Sequence, residues 1–412
     1  MRHRISAATG PHEVSVSNSS NKYDVIVAGG GPAGASAAIH LAKANLKVLL
    51  IEQKTFPRAK LCGEFISPEC IAHFEKLGVA LDMISSQPAQ ILETVFYSRR
   101  GREIVVPSRW FGGNALGLSR AVMDHHLLER AKALGVNVLE NSTVSNLVED
   151  RRGVTGVIVK AAGDREYRAS VVVDATGRSR VLARKTNSTQ PVKPSLVAFK
   201  AHLTGTRGTM TACEIYSYPG GYGGLSTIEN GRSNLCFIIQ ASHVRRAHSD
   251  PQTVIRENLM LNRRAAFTLE CATVETDWLS VALESFGRRQ PSPKPGLLAI
   301  GDSAAFIDPF TGSGMLMAFE SGQLVAEQIV HHLAKLDERN GIANLSESYT
   351  RAYLRTFDSR LRVCSRLRRV AFRPLLAQLA ISAFSCSDRF RGWLARSTHS
   401  SSRERASQEF QI

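Results

Sequence analysis

The sequence predicts an α/β fold: a Rossmann-like dinucleotide-binding domain with an inserted antiparallel β-sheet lobe and a C-terminal helical segment. Three observations predict it: a strand–glycine turn–helix–strand pattern over residues 24–52, four strand-like runs within residues 195–240, and an arginine-rich stretch after residue 351. A chain of 412 residues is long enough for two domains or for one large domain with an inserted lobe.

The pattern over residues 24–52 is a complete βαβ unit. An apolar run enters a glycine turn, a small-residue helix starts near Ala33, and a second apolar run follows. Gly29, Gly31 and Gly34 occupy the GxGxxG positions, and these glycines and Ala33 are predicted to bind the cofactor. In such a unit the first glycine permits a tight turn, the second lets backbone amides approach a pyrophosphate, and the third lets the helix pack closely on the strand.

The second apolar run ends on Glu52. A carboxylate at this point accepts hydrogen bonds from ribose hydroxyls and repels a 2′-phosphate. The bound nucleotide is therefore expected to be FAD or NAD(H) rather than NADP(H).

Strand and helix signals continue along the chain. Residues 66–78 and 119–135 are predicted helices, the second with Ser119 as N-cap and Gly135 as its stop. Short strands are predicted over residues 136–139, 143–148, 154–160, 171–173 and 297–300. The lobe strands are Leu196–Leu203, Thr211–Tyr218, Gly224–Ile228 and Leu235–Gln240.

Composition excludes several classes of protein. The seven cysteines are scattered without a CxxC pair, which argues against a disulfide framework and against a zinc site, so no metal is predicted. The first 22 residues are polar, without the apolar core of a secretory signal, and no apolar run of 18 or more residues occurs. These features predict a cytoplasmic protein.

The net charge of +16 is concentrated near the C-terminus. Residues 351–412 contain 13 arginines and four acidic residues, a balance of +9. One interpretation is a helical pair that packs one face on the body with its arginines in solvent; the other is a peripheral contact with a membrane surface or an acidic partner. Nucleic-acid binding is not expected, because no recognition motif accompanies the charge.

Three further segments suit the same cofactor. A strand over residues 171–173 leads to Asp174 and a turn at Gly177, and a second strand ends in Gly301-Asp302. The sequence Asp308-Pro-Phe-Thr-Gly312-Ser-Gly314-Met315 then opens a small-residue helix. With these motifs, most of residues 23–335 resembles the FAD-dependent oxidoreductase superfamily that includes aromatic-ring monooxygenases, geranylgeranyl reductases and flavin halogenases.

The resemblance implies an FAD-binding domain of the glutathione reductase type and a role for each motif. Gly301 and Asp302 would contact the ribityl and pyrophosphate region. The turn with Gly312, Gly314 and Met315 would place a helix start at the pyrimidine edge of the isoalloxazine. Arg120 would approach the phosphates or ribose, and Gly177 would lie beside the cofactor. A helix start stabilises the negative charge of reduced flavin. NAD(P)H is the expected transient electron donor.

The predicted layout assigns three parts of the chain to the FAD-binding domain and two to the substrate lobe. The segments are a flexible tail (1–22), FAD-binding parts (23–84, 119–185 and 291–335), substrate-lobe parts (85–118 and 186–290) and a basic C-terminal helical region (336–412).

The segment from Phe56 to Glu64 resembles the one that follows the ribose acid in geranylgeranyl reductases, where a Cys-Gly turn runs close to the flavin. Cys62 is the one candidate for a reactive side chain, because Arg58 and Lys60 nearby would lower its pKa. The alternative is that Cys62 is a small residue that packs under the ring system. The reductases usually carry Cys-Gly-Gly where this chain has Cys62-Gly63-Glu64.

The function predicted from these observations is an FAD-dependent monooxygenase that hydroxylates a small apolar or aromatic substrate through a C4a-hydroperoxyflavin. A reductase of a prenyl or other alkene is the alternative within the family, and a non-catalytic lipid carrier of the same fold is the alternative from another class. Halogenation is disfavoured, because the Trp-rich halogenase sequence is absent. Aromatic residues of the lobe either wall a substrate pocket or form the core of the sheet; they are Phe199, Tyr216, Tyr218, Tyr222 and Phe237.

Overall fold

A computed structural model describes residues 22–160, 163–186, 194–283, 286–309 and 312–371. The strands, in chain order, are β1 (Lys22–Ala28), β2 (Val48–Ile51), β3 (Phe65–Ile66), β4 (Ala89–Ile91), β5 (Glu93–Tyr97), β6 (Glu103–Pro107), β7 (Ala115–Gly117), β8 (Asn137–Leu139), β9 (Thr143–Asp150), β10 (Gly153–Lys160), β11 (Asp164–Asp174), β12 (Leu196–Thr204), β13 (Ala212–Tyr218), β14 (Gly221–Thr227), β15 (Ser233–Gln240), β16 (Thr273–Val274), β17 (Leu279–Leu283), β18 (Gly287–Arg288), β19 (Leu297–Ala299) and β20 (Ala305–Phe306).

The α-helices, in the same order, are α1 (Pro32–Lys43), α2 (Glu69–Leu77), α3 (Ala80–Ser85), α4 (Arg120–Ala133), α5 (Ala183–Thr186), α6 (Ala241–Arg246), α7 (Pro251–Glu257), α8 (Arg263–Leu269), α9 (Gly314–His332) and α10 (Gly341–Ala371). Short 3₁₀ helices lie at Ser108–Phe111, Gly177–Ser179, Glu229–Gly231, Leu259–Leu261, Gly301–Ser303 and Leu333–Lys335.

The first sheet has the order β8-β2-β1-β11-β10-β9, and β19 also pairs with β11. β1, β2, β8, β11 and β19 run parallel, whereas β9 and β10 form an antiparallel extension. Helices α1, α2, α4, α9 and α10 bury one face of this sheet. The α/β prediction with a Rossmann-like domain is confirmed.

The second sheet is the lobe, with the order β16-β12-β15-β14-β13-β5-β6 and β17 beside β12. Its pairs are antiparallel except that β5 and β13 run parallel. One face of the sheet packs against α7 and α8. The other face, with Ala198, Ile238 and Leu283, packs near Phe306.

Several element boundaries differ from the sequence prediction; β11, for example, begins at Asp164 rather than Val171, and two further differences have a clear physical reason. The helix predicted from residue 66 starts at Glu69, because Phe65 and Ile66 pair with β7 instead. β14 begins at Gly221 rather than Gly224, because its glycines let two backbones approach closely: a Cβ on Gly221 would lie 2.0 Å from the Ile238 oxygen.

The described part of the basic C-terminal region is the long helix α10. Its buried residues recur every four positions and form one apolar stripe, which consists of Leu345, Tyr349, Tyr353, Phe357 and Leu361. The Tyr349 hydroxyl donates to the Ala299 oxygen at 2.6 Å, and Arg360 pairs with Glu320. The helix thus packs one face on the FAD-binding domain. Residues 372–412 of the predicted basic C-terminal region, which include Cys386, lie outside the described residues.

No helix within the described residues is both long enough and apolar enough to cross a membrane. The six cysteines in the described part of the chain are free thiols. Among the same residues, no cluster of His, Cys, Asp and Glu side chains has an arrangement suited to a metal ion.

Candidate FAD site

The glycine turn after β1 combines two tight protein contacts with one open position. Gly29 has a φ of +110°, and a Cβ on it would lie 2.3 Å from the Ala175 oxygen. A Cβ on Gly34 would lie 1.9 Å from the Gly29 oxygen, so the start of α1 packs directly on the turn. By contrast, the nearest atoms to a Cβ on Gly31 are guanidinium nitrogens 3.8 and 3.9 Å away. Gly31 leaves room for a ligand.

Glu52 is fixed at the end of β2 by backbone amides. Its Oε2 accepts from the Gly30 amide at 2.9 Å, and its Oε1 accepts from the Lys54 amide at 3.0 Å. The carboxylate is buried but borders the cavity described below. Arg58 Nη2 also lies 3.5 Å from Oε2, whereas Oε1 can accept a further hydrogen bond, as contact with a ribose requires.

Two arginines face the open position at Gly31, and one buried carboxylate holds both. Arg120 donates from Nε and Nη2 to the two oxygens of Asp124 at 2.7 and 2.8 Å, and Arg58 Nη1 lies 3.3 Å from Asp124. Because Asp124 is fully buried and neutralises part of their charge, the guanidinium groups are pre-positioned beside the N-terminus of α1.

The strand ends of β11 and β19 meet at the same cavity. Asp174 accepts from the Thr176 amide, the Ala183 amide and the Ser303 hydroxyl, so it ties these two loops together. Asp302, in the second loop, borders the cavity, where burial raises its carboxyl pKa against the opposing effect of Arg178, Arg120 and Lys60.

The start of α9 borders the same cavity at the end opposite the glycine turn. Gly312 has a φ of +67°, and a Cβ on it would lie 3.5 Å from the Phe65 ring. Gly314 and Met315 begin α9, and a Cβ on Gly314 would meet no atom within 4 Å. Gly177, on the neighbouring loop, is equally open.

These features border one cavity of about 410 Å³ between the two sheets. Of the predicted site residues, those that line it are Gly29, Gly31, Ala33, Glu52, Cys62, Arg120, Gly177, Gly301, Asp302, Gly312, Gly314 and Met315. Gly34 is not in the lining, since it lies behind the turn and acts through helix packing. The open positions at Gly31, Gly177 and Gly314 leave the space that a nucleotide cofactor needs.

Sequence reasoning did not assign Lys60 and Arg178 to the cofactor site. Both line the cavity. Burial lowers the pKa of Lys60 to about 8, and repulsion by Arg58, Arg120 and Arg178 acts in the same direction. For Lys60, the signal available in the sequence is the basic run before Cys62.

Cys62 belongs to a loop that the lobe sheet holds in place. Its Sγ accepts from the Glu64 amide at 3.4 Å, and its carbonyl accepts from the Asn234 amide group at 3.1 Å. The Ser226 hydroxyl donates to the Gly63 carbonyl at 3.2 Å. Cys62 is therefore a fixed element of the cavity wall.

Glu64 forms a buried ionic cluster that sequence reasoning missed. Its backbone has a φ of +54°, its Oε1 accepts from Lys200 Nζ and from the Arg120 amide, and its Oε2 lies 2.7 Å from His202 Nε2. Burial opposes ionisation, but the hydrogen bond to His202 and the charge of Lys200 outweigh it and hold the Glu64 pKa below its usual value. The cluster connects the lobe strand β12 to the start of α4.

The lobe face that borders the cavity is mainly aliphatic. Ala198, Ile238 and Leu283 line it, together with Cys236 and Phe306. Four of the five aromatic residues considered as a pocket wall belong instead to the core on the opposite face; they are Phe199, Tyr216, Tyr218 and Phe237. Tyr216 and Tyr218 share a face, as their spacing predicts. Tyr222 packs on the cavity side and donates to Asp308.

The comparison with protein families is decisive for the cofactor. The family model described as "FAD binding domain" matches residues 22–349. The chain belongs to this FAD-binding family. It is an FAD-dependent oxidoreductase with an FAD-binding domain.

Several curated relatives share this region. A "Conditioned medium factor receptor 1" of Dictyostelium discoideum is 25% identical over 76% of this chain, which spans 64% of that protein's length. A digeranylgeranylglycerophospholipid reductase of Methanosarcina mazei is 27% identical over 81% of each chain. A menaquinone reductase of Mycolicibacterium smegmatis is 27% identical over 74% of this chain and 76% of that protein.

Solved structures show the same fold. The flavin-dependent brominase Bmp2 superimposes with a TM-score of 0.78 at 22% identity, covering 92% of this chain and 93% of that one. A geranylgeranyl bacteriochlorophyll reductase-like protein of Thermoplasma acidophilum gives 0.70 at 20% identity, covering 92% of each chain. At these identities the likeness extends to the fold alone.

The charges of the site suit FAD. Five cationic residues line the cavity, Lys54, Arg58, Lys60, Arg120 and Arg178, against three acidic ones, Glu52, Glu64 and Asp302. A pyrophosphate beside Gly31 would meet Arg58 and Arg120 and the start of α1. Because α9 starts at the opposite end, its positive dipole would support negative charge on the reduced ring.

Proposed function

We propose that this protein reduces carbon–carbon double bonds of an apolar, isoprenoid-like substrate. The observation that carries the proposal is the aliphatic wall of the cavity, formed by Ala198, Ile238 and Leu283, while four of the five aromatic residues considered for the lobe belong to the core on its opposite face. A wall of this kind complements a flexible hydrocarbon chain rather than a planar ring. Two relatives that align over about three quarters or more of this chain are named as reductases.

In this proposal FAD supplies hydride transfer, and NAD(P)H is the transient donor. The residues of this chain bind and orient. Glu52, Arg58 and Arg120 hold the nucleotide end, and the start of α9 supports the reduced ring. The lobe strands β12, β15 and β17 exclude water from the reacting bond with aliphatic side chains.

Monooxygenation is the second candidate. The observation that favours it is Cys62-Gly63-Glu64, which places a buried, charged glutamate where the reductases usually carry glycine. Oxygen insertion requires O₂, whereas alkene reduction does not. The two reactions can therefore be distinguished by offering the same substrates with and without O₂.

The test incubates the FAD-loaded protein with NAD(P)H and a geranylgeranyl lipid or a menaquinone, anaerobically and under ¹⁸O₂. Alkene reduction predicts a product that gains hydrogen pairs without O₂ and contains no ¹⁸O. A product that appears only with O₂ and carries ¹⁸O would replace this proposal with monooxygenation. A protein purified without flavin, and without flavin uptake, would favour the carrier function.

A further inference from the structure

The C-terminal helix α10 reaches the cofactor-binding region through Arg368. Arg368 Nε lies 3.1 Å from Oδ2 of Asp308, whose side chain is 1% exposed. The other oxygen of Asp308 accepts a hydrogen bond from the Tyr222 hydroxyl of β14. One buried carboxyl group therefore joins α10, the lobe sheet and the segment that leads to Gly312.

Ring stacking fixes Arg368 independently of this ion pair. Its guanidinium lies 4.0 Å over the Phe286 ring, and Phe286 stacks on Phe306 with centroids 4.7 Å apart. On the far side, the Arg178 guanidinium lies 5.9 Å from the Phe306 centroid. Phe306 and Arg178 line the FAD cavity, so the stack runs from α10 to the cavity wall.

The position of Asp308 gives this contact an electrostatic consequence. Its neighbours Ile307 and Pro309 both line the cavity, and Gly312 follows four residues later. A buried carboxylate so close to the cofactor opposes additional negative charge there, and a nearby cation offsets that effect. Reduction of a flavin bound in this cavity would add negative charge, which the start of α9 would support.

We propose that Arg368 is a positioning residue that neutralises Asp308 and so raises the reduction potential of the bound flavin. The proposal gives the described part of the basic C-terminal helix a role in the redox site. It depends on FAD binding alone, so it holds for either candidate reaction and can fail without affecting the proposed function.

The test is potentiometric titration of the FAD-loaded protein without substrate. In Arg368→Met, the uncompensated Asp308 should disfavour the reduced flavin about tenfold, a shift of about 30 mV to lower potential for a two-electron couple. In Asp308→Asn, the unopposed Arg368 should shift the potential upward by a similar amount. The double variant should return close to the wild-type potential.

The opposite signs separate electrostatics from disruption of packing, which would move both single variants in the same direction. Arg366→Met is the matched control, because Arg366 is exposed on the same helix, and it should leave the potential unchanged. If Arg368→Met loses its flavin, the Asp308→Asn shift and a near-wild-type Arg368→Lys still test the proposal. Shifts of one sign, or an equal shift in Arg366→Met, would overturn it.

Discussion

Oε2 of Glu64, a residue that lines the cavity, lies 2.7 Å from Nε2 of His202 on the lobe strand β12. The same carboxylate also accepts from Lys200 and from the Arg120 amide. Glu64, Lys200 and His202 are all buried, so the positive charge of Lys200 depends on Glu64 for compensation.

The first prediction concerns this charge. Glu64→Gln should lower the free energy of unfolding by about 3 kcal/mol, because it leaves the Lys200 ammonium buried without a counter-charge. Lys200→Met in the same chain should recover part of the loss. Urea unfolding of the two single variants and the double variant measures the coupling, and a Glu64→Gln protein as stable as wild type would contradict the assignment.

The second prediction concerns Gly31, where the nearest atom to an added Cβ is a guanidinium nitrogen 3.8 Å away. Gly31→Val should leave the unfolding temperature of the flavin-free protein nearly unchanged but abolish FAD binding, because the side chain occupies the pyrophosphate space. The absorbance of the purified protein at the flavin bands is the measurement.

Two matched variants accompany it. Gly34→Val should destabilise the flavin-free protein itself, since its Cβ would lie 1.9 Å from the Gly29 oxygen. Gly113→Val, at a residue that does not line the cavity and whose added Cβ would have its nearest contact at 3.9 Å, should keep full flavin content. Full flavin content in Gly31→Val would show that the pyrophosphate does not bind beside Gly31.

The third prediction concerns pH and Lys60. The pKa of Lys60 is about 8 in the folded, flavin-free protein, below its ordinary value of 10.5. Between these two pH values the unfolded chain therefore binds more protons than the folded protein. The free energy of unfolding of the flavin-free protein should rise with pH in this range. Anionic FAD favours charged Lys60, so FAD affinity should fall as pH rises above about 8, by at most about tenfold per pH unit.

Fluorescence titration of the flavin-free protein with FAD across this window measures the effect. Lys60→Met should bind FAD more weakly below pH 8 and lose the pH dependence above it. A Lys60→Met protein with the wild-type pH profile would show that another group titrates.

The fourth prediction concerns the aliphatic wall. Ala198→Leu should lower kcat/KM for a long apolar substrate about tenfold or more, because the added side chain projects into the cavity that Ala198 lines. Val197→Leu is the control, since Val197 points to the opposite core of the sheet. Steady-state kinetics with equal flavin content in both proteins measure the difference. Equal values of kcat/KM in the two variants would show that the substrate does not bind against this face of the lobe sheet.

The sequence by itself determined the FAD-binding half of this protein. The signals that predicted it are local: the glycines at 29, 31 and 34, the acid at 52 and the turn at 312–314. A tight turn, an uncapped helix start and a strand-end carboxylate each arise from a few consecutive residues. Their order along the chain predicted the fold and part of the cavity lining, but not Lys60 or Arg178.

Only the tertiary structure decided which face of the lobe sheet meets the cofactor. Alternation predicted that Tyr216 and Tyr218 share a face, but a period of two does not say which face is buried against helices and which borders a cavity. The pairings of Glu64 with His202 and of Asp308 with Arg368 join residues 138 and 60 positions apart in sequence. Such contacts arise when separate elements pack together, so no local pattern records them.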